Sequence, residues 1–397
     1  MVPKKYIANI IFTVALCYII SPWFFERNFF FNEILAATGG AIFLYKGCRF
    51  GRDHISIAII LLLCWGGVHL VISLFRMDHI YYYLRNTVIL YSIMSFFLGY
   101  YLLKYLSGFF SEIISFFRFY LITLLFVPLS TLLFERFSTA TLFPGLFRNV
   151  RHSIVPLLLI GLNVVHAINY ESSTAMLVAM FFALVFISPG YKFFKQLSLV
   201  AFLAFTILFI YLLPNLALIK NNYSSFTYNA IYDVINSHPI LAIDGNSTWR
   251  LVLWKQIVLD QFPMNLFGLG FGTPLLKYFP VEDFSKLDSL PYVLGAHNSF
   301  VYLFGRLGIV YILIILSIYS KIFREYFYYK IYYRQNNEWL IFLSFFAISI
   351  ISLFNPTLES PIFAGTYWLL LGLTARSIHN RIYTPTSTDQ DENIIYT

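Results

Sequence analysis

The sequence predicts an all-α, polytopic membrane protein of about 11–12 transmembrane helices with one long periplasmic loop. Three observations carry that expectation. Of 397 residues, 59% are hydrophobic and only 12% charged, where a soluble domain carries roughly a quarter charged residues to cover its surface. Aromatics reach 20%, with 44 Phe and 30 Tyr, which suits a wide lipid-facing surface flanked by amphipathic rings. The apolar residues also fall into runs close to the ~20 residues that a helix needs to cross about 30 Å of hydrocarbon.

Lys4 and Lys5 precede the first run, 6–22, in the manner of a signal peptide. No small-residue cleavage site follows, so this segment reads as an uncleaved first span. Further runs lie near 29–45, 55–75, 84–103, 113–134, 152–169, 173–188 and 196–213. After a long polar stretch come about 297–320, 338–354 and 360–376. Helices are expected throughout, because an open strand edge in lipid leaves backbone groups unpaired. The apolar/polar alternation of a membrane barrel is missing. The chain thus divides into N-terminal helices (1–214), a long loop (215–296), C-terminal helices (297–376) and a polar, disordered cytoplasmic tail (377–397). Cys17, Cys48 and Cys64 form no C-x-x-C pair and suggest neither a disulfide framework nor a zinc site.

The formal charge is +8, and two basic clusters fall in loops between apolar runs. Lys46, Arg49 and Arg52 form one basic loop, and Lys321, Arg324, Lys330 and Arg334 another. Short basic loops stay on the cytoplasmic side. The 215–296 loop then lies opposite, which in a bacterium is the periplasm. That loop holds five Lys/Arg against six Asp/Glu, so it is no basic groove and nucleic-acid binding is not expected. Eight runs precede the loop where orientation needs an odd number. One segment between about 104 and 195 is therefore miscounted or re-enters without crossing.

Chemistry is to be sought in the loop and its borders. Gly268, Gly270 and Gly272 stand in Leu-Phe-Gly-Leu-Gly-Phe-Gly-Thr. The G-x-G-x-G spacing and the lack of a strand–helix–strand context exclude a dinucleotide fingerprint, and the plain reading is a flexible bend at the membrane boundary. His297 and Asn298 mark the point where the polar loop meets an apolar run. A histidine titrates near neutrality and can take a hydroxyl proton; its plain reading is an interfacial side chain without a role. Arg250 stands between Trp249 and Trp254. A guanidinium grips phosphate oxygens in bidentate fashion, whereas a snorkelling arginine is the commoner case. No metal cluster is visible: the Asp-x-Asp at Asp389 and Asp391 lies in the tail as a solvated charge run.

Together these features are more specific than any one alone. Arg250-Leu-Val-Leu-Trp254, Pro263, Gly268-Leu-Gly270-Phe-Gly272, His297-Asn298 and Gly305-Arg-Leu-Gly308 resemble the O-antigen ligase and polymerase superfamily. Asn355, Glu359, Pro361 and Trp368 look like the family's closing hairpin, and Asn149-Val-Arg151-His152 looks like its earlier arginine segment. The resemblance implies an enzyme of the bacterial inner membrane that needs no metal and no cofactor. It would move a glycan from an undecaprenyl-diphosphate-linked donor to an acceptor sugar hydroxyl on the periplasmic side, with inversion. The acceptor would be lipid A–core or a second lipid-linked glycan. It implies His297 and Arg250 as catalytic residues, and Arg151, His152, Asn298, Gly268, Gly270 and Gly272 as substrate-binding ones.

Within that superfamily the well-formed motif favours a ligase over a repeat-unit polymerase or a protein O-oligosaccharyltransferase. A polysaccharide transporter or flippase is the competing class. Transporters more usually carry charged or broken spans near the midplane, often in repeated halves; here the polar residues gather in one outer loop.

Overall fold

The computed structural model describes residues 30–46, 53–106, 250, 253–254, 256–275, 296–325 and 338–383. The expected first span, the spans between 113 and 213, most of the 215–296 loop, the tail beyond 383, and Arg151 and His152 lie outside the described residues. The disordered tail expected from 377 is corrected at its start: the helix from Pro361 continues to Tyr383, with Ser377 and Ile378 buried. The described residues are all-helical, without strands. In chain order the helices are α1 (Phe31–Lys46), α2 (His54–Leu74), α3 (Ile80–Asn86), α4 (Val88–Tyr91), α5 (Ser95–Leu106), α6 (Ser299–Phe323), α7 (Glu338–Ser352) and α8 (Pro361–Tyr383). A π-helical turn, Gln256–Asp260, and a 3-10 turn, Met264–Leu266, precede the glycines.

Among the described residues three helices are long and apolar enough to cross a membrane: α2, the nearly continuous Ile80–Leu103 run, and α6. Their ends follow from local chemistry. Asp53 caps α2, its carboxylate accepting from Ser56 N at 2.9 Å and Ser56 Oγ at 2.8 Å, which satisfies a donor that the helix cannot pair internally. His79 starts α3, Nδ1 accepting from Tyr81 N at 3.2 Å, so this run begins earlier than the apolar residues at 84–103 suggest. Asn298 caps α6 by accepting from Phe300 N at 3.0 Å and Val301 N at 3.1 Å.

α2 and α6 lie antiparallel. His54 Nε2 meets Ser317 Oγ at 2.5 Å, Trp65 Nε1 donates to Leu307 O at 2.7 Å, and Phe271 N donates to Ser73 Oγ at 2.7 Å. α5 and α8 pack backbone to backbone: a Cβ on Gly99 would stand 2.2 Å from Leu369 O, and one on Gly372 2.1 Å from Phe96 O. Small residues at helix crossings allow this approach where lipid provides no hydrophobic drive. Phe96, Phe97, Tyr302, Tyr311, Tyr367 and Trp368 fill the shared core. Ile57, Leu61, Val68 and Val71 on α2, with Leu313 and Leu316 on α6, remain exposed.

The helices have two distinct ends. Asp53 accepts from Tyr100 OH at 3.0 Å and lies 4.0 Å from His379 Nδ1. Lys46 reaches to 5.7 Å from the Tyr101 ring, which puts the helix ends that flank both basic clusters at one end. Leu74, Ser299 and Pro361 lie at the other. The helix ends that flank the two basic clusters thus share one end, as the charge requires if both face the cytoplasm.

Candidate functional site

The site is built on α6, which is kinked. Gly308 has φ 73° and ψ −164° inside the helix, a conformation open in practice only to glycine. Carbonyls just before the kink accept bonds from outside the helix: Gly305 O from Leu269 N at 2.9 Å, Arg306 O from Gly270 N at 2.9 Å, and Leu307 O from Trp65 Nε1 at 2.7 Å. Gly268, Gly270 and Gly272 all take positive φ (87°, 76° and 79°). The expected flexible bend is therefore a turn docked against the kink. It is held further by Ser73 Oγ on Phe271 N and by Asn86 Oδ1 on Gly272 N at 3.2 Å. The glycines make the close approach possible, since a Cβ on Gly268 would stand 2.4 Å from Arg306 O.

Arg306 is the residue that the sequence motifs passed over. It is buried in the first half of α6, with Nη1 donating to Gly270 O at 3.1 Å and also to Thr273 O. Its guanidinium carbon lies 5.0 Å from the Tyr302 ring centroid. A cation within an apolar span was the available signal, because such residues are costly in lipid and seldom lack a task. Here the task is to staple the glycine turn to the helix.

The loop end brings Arg250 and His297 together. Arg250 Nη1 donates to Phe354 O, in the turn between α7 and α8, at 3.1 Å. One helical turn along, Trp254 Nε1 donates to Ala296 O at 2.7 Å. The Arg-x-x-x-Trp segment thus fastens to the residue before His297 with its Trp and to the 354–359 turn with its Arg. His297 takes φ 48°, a region uncommon for residues other than glycine, though histidine enters it more often than most. Burial, and secondly the Arg250 charge, push its imidazole down to about 4. The expectation of a histidine titrating near neutrality is corrected accordingly: the ring stays neutral well below pH 7, first because burial disfavours its charged form and second because of the Arg250 charge. Asn298 serves α6 as its cap, so its side-chain oxygen is committed to the backbone.

Glu359 lies opposite the start of α6, Oε2 accepting from Ser299 Oγ at 2.6 Å. Burial raises its carboxyl to about 7, opposed by the Ser299 hydrogen bond, backbone N–H groups and the Arg306 charge. Comparison with family models, curated proteins and solved structures finds no match. A permanent cation and a neutral imidazole converge at one end of apolar helices, beside a carboxyl able to change protonation near neutral pH. Among the described residues no group of three His, Cys, Asp or Glu could hold a metal ion. Of the substrate-binding candidates, the three glycines belong to the docked turn, which meets α6 at Gly305 and Arg306, about two helical turns beyond His297.

Proposed function

We propose that the chain is an O-antigen ligase-like glycosyltransferase of the bacterial inner membrane, multi-pass and with its site on the periplasmic side. It would transfer a glycan from an undecaprenyl-diphosphate carrier to a sugar hydroxyl of lipid A–core. The observation that carries this reading is the convergence of Arg250 and His297 on one end of membrane-length helices, the end opposite the basic loops. A diphosphate anchored by a polyprenyl chain lies at headgroup depth, where a guanidinium can neutralise the charge that develops on the leaving group. The acceptor oxygen attacks the anomeric carbon, the bond to the diphosphate oxygen breaks with its electron pair leaving on the diphosphate, and the hydroxyl proton passes to His297. Configuration inverts in this single displacement.

The depressed imidazole fits such a sequence. Burial, and secondly the Arg250 charge, keep His297 from binding a proton before donor arrives. A bound diphosphate cancels that charge, so donor binding raises the proton affinity of His297 just when a base is needed. Deletion of the gene followed by a gel of the host lipopolysaccharide tests the reading. Loss of all long chains, with polymer accumulating on the carrier, is the result expected. Chains stopped at one repeat would replace ligase by polymerase, and unchanged lipopolysaccharide would remove lipid A–core as the acceptor.

A further inference from the structure

Ser299 is the first residue of α6, two positions after His297, and is fully buried. Its oxygen has four polar neighbours: Thr357 N at 2.8 Å, Leu358 N at 2.9 Å, Glu359 Oε2 at 2.6 Å and Asn355 O at 3.1 Å. A hydroxyl has two lone pairs and one hydrogen. The two backbone N–H groups occupy both lone pairs, so the hydrogen must go to Glu359 or to Asn355 O. The carboxylate is nearer, at 2.6 Å against 3.1 Å, and the stronger acceptor. Glu359 therefore sets the rotation of the Ser299 hydroxyl, and with it the two bonds that fold residues 355–358 over the start of α6. The same turn supplies Phe354 O to Arg250.

We propose that Glu359 is a positioning residue: through Ser299 it locks the 354–359 turn to the start of α6 and so fixes Arg250 relative to His297. The proposal rests on the reading of Arg250 and His297 as the reacting pair. The charged and titratable groups around the lock are Arg306 and Tyr311 of α6, which interact with Glu359, and Arg250, which faces His297. Glu359 Oε1 is buried and has no hydrogen-bond partner among the described residues. A proton on Glu359 therefore goes to Oε1, while Oε2 goes on accepting from Ser299. The lock holds in both protonation states, so what matters is an acceptor oxygen rather than a negative charge.

The test is a histidine NMR titration of full-length protein in nanodiscs, with the His297 signal assigned by its absence in His297→Gln. Wild-type His297 should titrate near 4, and Glu359→Gln, whose amide oxygen replaces Oε2, should stay close to it. In Ser299→Ala and Glu359→Leu the pair should drift apart and His297 should rise above 4 by the Arg250 share of its depression, the larger share from burial remaining. Should Glu359→Leu fail to fold, Ser299→Ala, which removes one buried atom, carries the test alone. An unmoved His297 in Ser299→Ala overturns the proposal, as does a glutamine variant that shifts as far as the leucine one. This readout needs no donor or acceptor. A His297 shift in Ser299→Ala in a protein inert towards polyprenyl-diphosphate glycans would uphold the positioning role while removing the proposed function.

Discussion

Replacing Gly308 by alanine should do far more damage than replacing Gly67, although both are glycines within apolar helices. At Gly308 the φ of 73° places any L side chain in a region that costs of order 1–3 kcal/mol. The added Cβ would stand 2.3 Å from Leu266 O and 2.6 Å from Phe267 C, both backbone atoms that yield only if the whole turn moves. Such a shift weakens Leu269 N→Gly305 O and Gly270 N→Arg306 O, each contributing about 1 kcal/mol net. Strain and lost bonds together put the cost at roughly 3–5 kcal/mol. A Cβ on Gly67 meets nothing within 4 Å, so alanine there should be neutral or stabilising by up to about 1 kcal/mol through helix propensity. Thermal unfolding of the detergent-solubilised variants, followed by fluorescence-detected size exclusion, reads the contrast. Gly308→Ala should melt several degrees below wild type and Gly67→Ala at or above it. Equal melting of the two variants would refute the docked turn.

Three further outcomes are expected. In a cysteine-free background, a cysteine at Phe75 should react with an impermeant maleimide in outer-membrane-permeabilised cells and one at Tyr45 only after lysis, because these exposed positions lie at opposite helix ends; the reverse pattern would invert the orientation. Arg250→Ala should lose activity with the protein still in the membrane, and Arg250→Lys should recover only part, since a point charge lacks the two-pronged grip; full activity in the alanine variant would leave the arginine structural. With donor well below saturation, where kcat/KM reports the free enzyme, activity should persist from pH 7 to pH 5, because a histidine near 4 is still about 90% neutral there but an unshifted one only about 3%. A fall of about 25-fold over that range would mean that His297 is not held low. Stability is the poorer readout of that shift. The unfolded chain protonates His297 first as pH falls from 6.5 to 4, which destabilises the fold across that window. Glu359, raised from 4.5 to about 7, acts in the opposite sense, its contribution being lost as pH rises through that range.

How much of this was legible in the sequence differs by residue. The runs at 29–45, 55–75, 297–320 and 338–354 fall on α1, α2, α6 and α7 within a few residues, because apolar length is a local property; the 360–376 run starts with α8 but stops seven residues short of its end at Tyr383. The 84–103 run was placed too late, since the His79 cap and the tyrosines after it are not apolar in the same degree. The order Arg250, Trp254, Gly268–Gly272 and His297 was visible as spacing. Its physical content was not: Trp254 on Ala296 O, Arg250 on Phe354 O and Arg306 on Gly270 O are pairings between residues far apart in the chain. The glycines read as a flexible hinge because positive φ and flexibility look alike in sequence, and only the carbonyls at the α6 kink tell them apart. Nor did the sequence disclose the depressed imidazole, which depends on burial and on where Arg250 comes to rest.

The central claim is that Arg250 and His297 act together on a lipid diphosphate donor. The most direct measurement is glycan transfer by purified protein in nanodiscs, supplied with an undecaprenyl-diphosphate-linked glycan and lipid A–core, for wild type and His297→Gln. Wild type should release carrier diphosphate and extend the acceptor. The glutamine variant should still bind the donor yet turn over roughly 10²–10⁴ times more slowly, because it can hydrogen-bond but cannot take the proton. Near-normal turnover by His297→Gln, or a wild-type protein that transfers from no polyprenyl-diphosphate donor, would contradict the account.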